Sequence, residues 1–120
     1  MVDWGRKVGL LGYSMGGMAT NLSAGNKTKV AELGIGAAVS IHPRSWKNIQ
    51  PSQVPIFYTT GTLDVITPAR WIVPEFLKVK NVPAVYAQLK WAQHSEMLPT
   101  SNQRWNTYSI AFYDCHLKGI

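Results

Sequence analysis

The sequence predicts an α/β fold with a mostly parallel sheet of about four strands and flanking helices. Three observations lead there. Four short apolar runs alternate with helical or loop segments along the chain. Some of these runs are continuously apolar, as strands buried on both faces are. The first run ends on a glycine-flanked serine that opens a helical stretch, a strand–turn–helix junction.

Each element has its own signal. Lys7-Val8-Gly9-Leu10-Leu11 lies between Gly5 and Gly12 and reads as the first strand. A helix is expected from about Gly16 to Ser23, with Met18, Ala19 and Leu22 facing inward and Gly25-Asn26 as its stop. Gly34 to Ile41 is the second strand, ended by Pro43, and Pro55 to Thr60 the third, closing at Gly61. A helix over Pro74 to Lys80 is expected, with the proline in its first turn and Val73, Phe76 and Leu77 on one face. Ala84 to Leu89 is the fourth strand. After Pro99-Thr100-Ser101, the residues Trp105, Tyr108, Ile110, Ala111, Phe112 and Cys115 recur at near-helical spacing as far as His116.

Composition agrees and excludes several classes. The 120 residues suit one domain; 46% are apolar and 15% charged, enough to fill a core and too apolar for a disordered chain. No apolar run reaches the roughly 18 residues of a membrane span. Met1-Val2-Asp3-Trp4-Gly5 is polar and does not read as a secretory signal. The single cysteine, Cys115, excludes an internal disulfide framework and a cysteine-based zinc site. The net charge is +6, but the cations are scattered, with no run of four and no basic helix face. A solvated basic surface is therefore expected, and no nucleic-acid partner.

The chemistry-bearing pattern is Gly12-Tyr13-Ser14-Met15-Gly16, a G-x-S-x-G followed by Gly17. A nucleophilic serine between strand and helix sits on a tight turn, where side chains two positions away on either side would collide. That turn lifts the Ser14 hydroxyl off the sheet and turns the Met15 N–H toward a developing oxyanion. The alternative is a glycine-rich turn in which Ser14 merely caps the helix. Serine needs a base and an orienting acid, which in this topology follow in the order acid, then histidine. Asp64, in Gly61-Thr62-Leu63-Asp64, lies just past the third strand, where α/β sites are built; otherwise it is a turn or capping residue. His94 lies in a loop after the fourth strand. His42 precedes Asp64 and reads as a loop residue bonding locally, and His116 as structural at a helix end. The three histidines lack metal-ligand spacing, so no metal is expected. Trp46 and Trp71, after the second and third strands, are candidates for lining a cleft.

These residues are familiar as a set. Gly12 to Gly17, then Pro55-Ile-Phe-Tyr-Thr-Thr-Gly61-Thr-Leu-Asp64-Val-Ile66-Thr-Pro68, then Gln93-His94, resemble the C-terminal half of an α/β-hydrolase. Within that superfamily the chain looks most like the cutinase or polyester-hydrolase and dienelactone-hydrolase-like branch. The resemblance implies a Ser14 nucleophile, a His94 general base, an Asp64 orienting acid and an oxyanion donor at the Met15 N–H. It also implies that Tyr13 and Ile66 line the acyl site. Ile41-His42 followed by Trp46 resembles a loop where polyester hydrolases often carry a Trp–His pair, with Ile41 in the tryptophan position. A serine nucleophile disfavours the reaction of true dienelactone hydrolases, which use cysteine.

The family places several strands, and the loop with the second oxyanion donor, before the nucleophile strand. Residues 1–120 are thus expected to be a single partial domain without them. The nucleophile strand would then be a sheet edge, so self-association through it is expected. The expected function is hydrolysis of carboxylic esters without a cofactor, with secretion suggested by the cutinase resemblance alone. A serine peptidase domain of prolyl-oligopeptidase type, a non-catalytic remnant acting as a binding module and a basic polyanion-binding domain are the alternatives.

Overall fold

Parallel strands buried on both faces need helices or loops over each face, and that arrangement is what the chain adopts. In a computed structural model, residues 6–98 and 104–119 are described. The strands are β1 (Val8–Tyr13), β2 (Ile35–Ile41), β3 (Ile56–Gly61) and β4 (Ala84–Leu89). They form one sheet in the order β1-β2-β3-β4, every neighbouring pair parallel. The helices are α1 (Met15–Ala24), α2 (Lys27–Leu33), α3 (Ala69–Lys78) and α4 (Arg104–Tyr113). A single 3₁₀ turn spans His94–Met97, and α4 runs into a π-helical turn over Asp114–Lys118. No helix among the described residues is long and apolar enough to cross a membrane.

The alternation of side chains along each strand divides the core in two. One face packs Ile35, Ala38, Ile56 and Tyr58 against Ala24 of α1 and Ile72 of α3. The other packs Ala37, Val39, Ile41 and Phe57 against Phe112 of α4, with Trp105 and Tyr113 alongside. All four strands point their C-terminal ends to one rim, so the residue that follows each strand arrives at the same edge.

Three expectations about helices need correction. The buried face of α1 is Gly17, Thr20, Asn21 and Ala24 rather than Met18, Ala19 and Leu22, and Leu22 is 41% exposed. The sequence reading begins a helix at Pro74, whereas α3 starts five residues earlier and holds Pro74 inside it. Pro68, with extended backbone (φ −67°, ψ 151°), is the residue that precedes the helix. Pro74 lacks the N–H that would bond the Arg70 carbonyl, a local loss set against burial of Ile72 on the sheet. The sequence reading also leaves 27–33 unassigned, and they form α2. Its signals are local ones: Asn26 Oδ1 accepts from the Lys29 N–H at 3.1 Å, and Gly34 closes the helix in the left-handed region (φ 63°). No residue of α2 is buried, so its apolar period was thin. The start of the last segment, expected after Pro99-Thr100-Ser101, lies outside the described residues.

Candidate active site

Ser14 follows β1 directly and stands where the chain turns from strand into α1. Its backbone has φ 57° and ψ −113°, a conformation sparsely populated for any residue with a side chain. Three backbone hydrogen bonds hold it there, one of them from the Met18 N–H to the Ser14 carbonyl at 3.1 Å. The Ser14 N–H donates to the Ile41 carbonyl at 3.0 Å, and the Arg44 N–H donates to the Ser14 carbonyl at 3.0 Å. A Cβ on Gly12 would fall 2.0 Å from the Gly16 carbonyl oxygen, so this position admits no side chain. Gly16 differs from expectation, since a Cβ there meets nothing within 4 Å; Gly17 is the second crowded position, 2.8 Å from Pro43. Met15 is the first residue of α1, so its N–H is one of the donors a helix leaves unpaired at its start.

His94, after β4, and Asp64, after β3, complete a line of hydrogen bonds. Ser14 Oγ is 2.9 Å from His94 Nε2, and His94 Nδ1 is 2.9 Å from Asp64 Oδ2. The His94 side chain is 16% exposed and that of Asp64 fully buried, so the line runs from the surface inward. Burial alone would raise the Asp64 pKa. Hydrogen bonds from the Thr67 N–H, His94, His42 and the Thr67 hydroxyl outweigh it and bring the carboxyl down to about 2. Asp64 Oδ1 accepts from the N–H groups of Ile66 and Thr67 at 2.9 and 2.8 Å, which fixes the carboxylate plane. Tyr13 clamps the other side of His94: its hydroxyl donates to the His94 carbonyl at 2.5 Å, and its ring lies 5.2 Å from the imidazole.

His42 is the residue that sequence reading placed wrongly. It is fully buried and does not bond locally; its Nδ1 lies 2.8 Å from Asp64 Oδ2. Position after β2 was the available signal, since β2 is one of the four strands that end at this rim. His42, Asp64 and His94 thus place three ligand-type atoms within 4.8 Å of one another, which spacing in the sequence did not suggest. Both Nδ1–Oδ2 contacts are of hydrogen-bond length, and the second nitrogen of His94 faces Ser14. We read the group as a hydrogen-bonded cluster and not as a metal centre.

A cleft of about 410 Å³ opens beside His94, lined by Tyr13, Leu63, Val65, Ile66, Gln93 and Ser95. Tyr13 and Ile66 were expected there; Leu63, Val65, Gln93 and Ser95 were not. Ile41, expected at the acyl site, is fully buried among Ala37, Val39 and Phe57, and only its carbonyl serves the site. Its side chain falls on the inward face by the alternation of β2. Trp71 is 40% exposed in the first turn of α3 and is not among the residues lining this cleft. Trp46 is 56% exposed and lines a separate cavity with Ser45, Lys47 and Asn48.

This architecture is shared with solved structures. Acylaminoacyl peptidase from Pyrococcus horikoshii matches 98% of the chain with a TM-score of 0.76 at 17% identity. MGS-M1, an alpha/beta hydrolase enzyme from a Medee basin deep-sea metagenome library, matches 92% with a TM-score of 0.69 at 18% identity. The fold matches part of an α/β-hydrolase fold. The Pyrococcus furiosus esterase Pf2001 matches 93% of the chain with a TM-score of 0.72 at 14% identity. The chain covers 25% of the peptidase and 54% of each of the other two. No protein-family model matches the sequence, and no curated protein matches it significantly.

Proposed function

We propose that this chain carries the catalytic residues of a serine hydrolase acting on carboxylic esters, a carboxylesterase or a cutinase- or polyesterase-like enzyme. The observation that supports it is the continuous line Ser14 Oγ–His94 Nε2–His94 Nδ1–Asp64 Oδ2, with both hydrogen bonds at 2.9 Å. In the first half-reaction Ser14 Oγ attacks the ester carbonyl carbon as its proton passes to His94 Nε2. The Met15 N–H, at the start of α1, receives the developing oxyanion. Asp64, ionised, orients the imidazole and stabilises its cation. Collapse breaks the bond to the alcohol, which leaves with the proton from Nε2. Water then repeats the sequence on the acyl-enzyme and frees the acid. Nucleophile, base and orienting charge all come from the chain, so the reaction needs no cofactor.

Among the described residues, those lining the cleft beside His94 include no Lys, Arg, Asp or Glu. That lining suits a neutral acyl group better than a charged one. A second reading, an amide-cleaving serine peptidase of prolyl-oligopeptidase type, is favoured by the match to acylaminoacyl peptidase over 98% of this chain. Hydrolysis of p-nitrophenyl butyrate, with an N-acyl aminoacyl p-nitroanilide in parallel, separates the two. The ester reading expects faster turnover of the butyrate, reduced at least about 1000-fold in Ser14→Ala. Preference for the anilide selects the peptidase. Background rates equal to those of Ser14→Ala on both substrates reject catalysis by this chain.

A further inference from the structure

His42 has no step in the chemistry above, yet it is the fourth residue delivered to the rim, after β2. Its imidazole is fully buried. The His42 backbone N–H donates to the Thr59 carbonyl at 2.9 Å, and its backbone carbonyl accepts from the Thr67 hydroxyl at 3.0 Å. Asp64 is ionised, so the His42 Nδ1 that stands 2.8 Å from its Oδ2 must carry the proton. Burial holds the imidazole pKa down against the pull of Asp64, which keeps the ring neutral. Nε2 is then bare, and it is buried with no hydrogen-bond partner among the described residues. An apolar ring would fill this space without orphaning a nitrogen. What the imidazole adds is its Nδ1–H on Asp64.

We propose that His42 is a positioning residue for the hydrolytic site: its Nδ1–H holds Asp64 Oδ2 from a second direction and takes a share of the carboxylate charge that would otherwise be left to His94 and the Thr67 hydroxyl, which stands 2.8 Å from the same oxygen. The two imidazoles stand 6.2 Å apart at 73°, so they approach the same oxygen along different lines. A carboxylate oxygen that accepts two N–H bonds is a weaker acceptor for each. His42 thereby limits how strongly Asp64 stabilises the His94 imidazolium. The ionisable groups around the pair are Asp64 itself, Tyr13 from β1, and Glu96 from the 3₁₀ turn, whose carboxylate is paired with Arg104 of α4 at 3.1 Å.

For its effect on rate the inference rests on the hydrolase reading; for the shared hydrogen bond it does not. The test is a ¹⁵N imidazole titration of the 120-residue protein, run beside the pH profile of kcat/KM on p-nitrophenyl butyrate. Wild type is compared with His42→Phe, which removes the donor, and His42→Asn, whose amide N–H can take the place of Nδ1–H. In the wild type His42 is expected in the Nδ1–H tautomer, with its own titration below the ordinary histidine range. His42→Phe is expected to raise the His94 titration by about half a pH unit or more, with the acidic limb of kcat/KM following it. His42→Asn is expected to restore the wild-type value. An Nε2–H tautomer in the wild type overturns the proposal even if His42→Phe does not fold. So does a His94 titration unchanged in folded His42→Phe. If His94 shifts as expected but no variant hydrolyses the ester, the shared carboxylate stands and the hydrolase reading falls.

Discussion

At Asp64 five donor contacts converge on one side chain, and the consequence is a pH dependence with a defined sign. The folded-state pKa of about 2 lies below the ordinary value of 3.8, so the unfolded chain takes up a proton first as pH falls. The stabilisation is present in full above about pH 4 and is lost as pH drops through about 2. A depression of that size is worth about 2 kcal/mol. Urea unfolding followed by circular dichroism between pH 5 and 2 should show this loss in the wild type and not in Asp64→Asn. Equal slopes in the two proteins would remove Asp64 as the cause. Glycine substitutions test the turn on which Ser14 sits. Gly12→Ala drives a Cβ into the Gly16 carbonyl and should destabilise the protein by about 1–3 kcal/mol or more. Gly16→Ala points into open space and should be tolerated. Thermal melts of the two variants distinguish them, and the reverse order would contradict the geometry.

Between elements, the helices hold their faces through few but deep contacts. Ile72 of α3 is fully buried against the sheet, and Ile72→Ala should cost about 2–5 kcal/mol by denaturant unfolding. Glu75, one turn on, is also buried; it accepts from Ser45 Oγ at 2.8 Å and from Asn21 Nδ2 at 3.2 Å, tying α3 to α1 and to the loop after β2. Burial pushes its pKa up despite these bonds, so its contribution is greatest at acid pH and falls as pH rises through the folded-state value. Asn21 Oδ1 is buried without a partner among the described residues. In Glu75→Gln, a flipped Asn21 amide can accept there from the new N–H. The variant should match wild type near pH 4 and exceed it in stability at pH 7, and a loss at pH 7 would contradict the account. The strands were legible in the sequence because their apolar runs are long and Gly and Pro punctuate them. Boundaries of α2 and α3 were not, because α2 buries no residue and Pro74 looks like a start when it sits within the helix. Ser14, Asp64 and His94 were legible through motif and order along the chain. His42 was not, since only the parallel pairing of β2 between β1 and β3 carries it to Asp64.

For the molecule as a whole, the order β1-β2-β3-β4 leaves β1 paired on one side among the described residues. Leu11, in the middle of that strand, is 42% exposed. An unpaired apolar edge favours association, so sedimentation velocity should show larger species as concentration rises, and Leu11→Lys should reduce them. A monomer at all concentrations would contradict this. The same order brings the C-terminal ends of four strands to one rim, and with them Ser14, His42, Asp64 and His94. The claim that this rim is a nucleophilic site is tested most directly by mass spectrometry after treatment with a fluorophosphonate. The account predicts one phosphonyl adduct, on the peptide containing Ser14, formed at a rate that collapses in His94→Ala. An unlabelled Ser14, or labelling indifferent to His94, would contradict it.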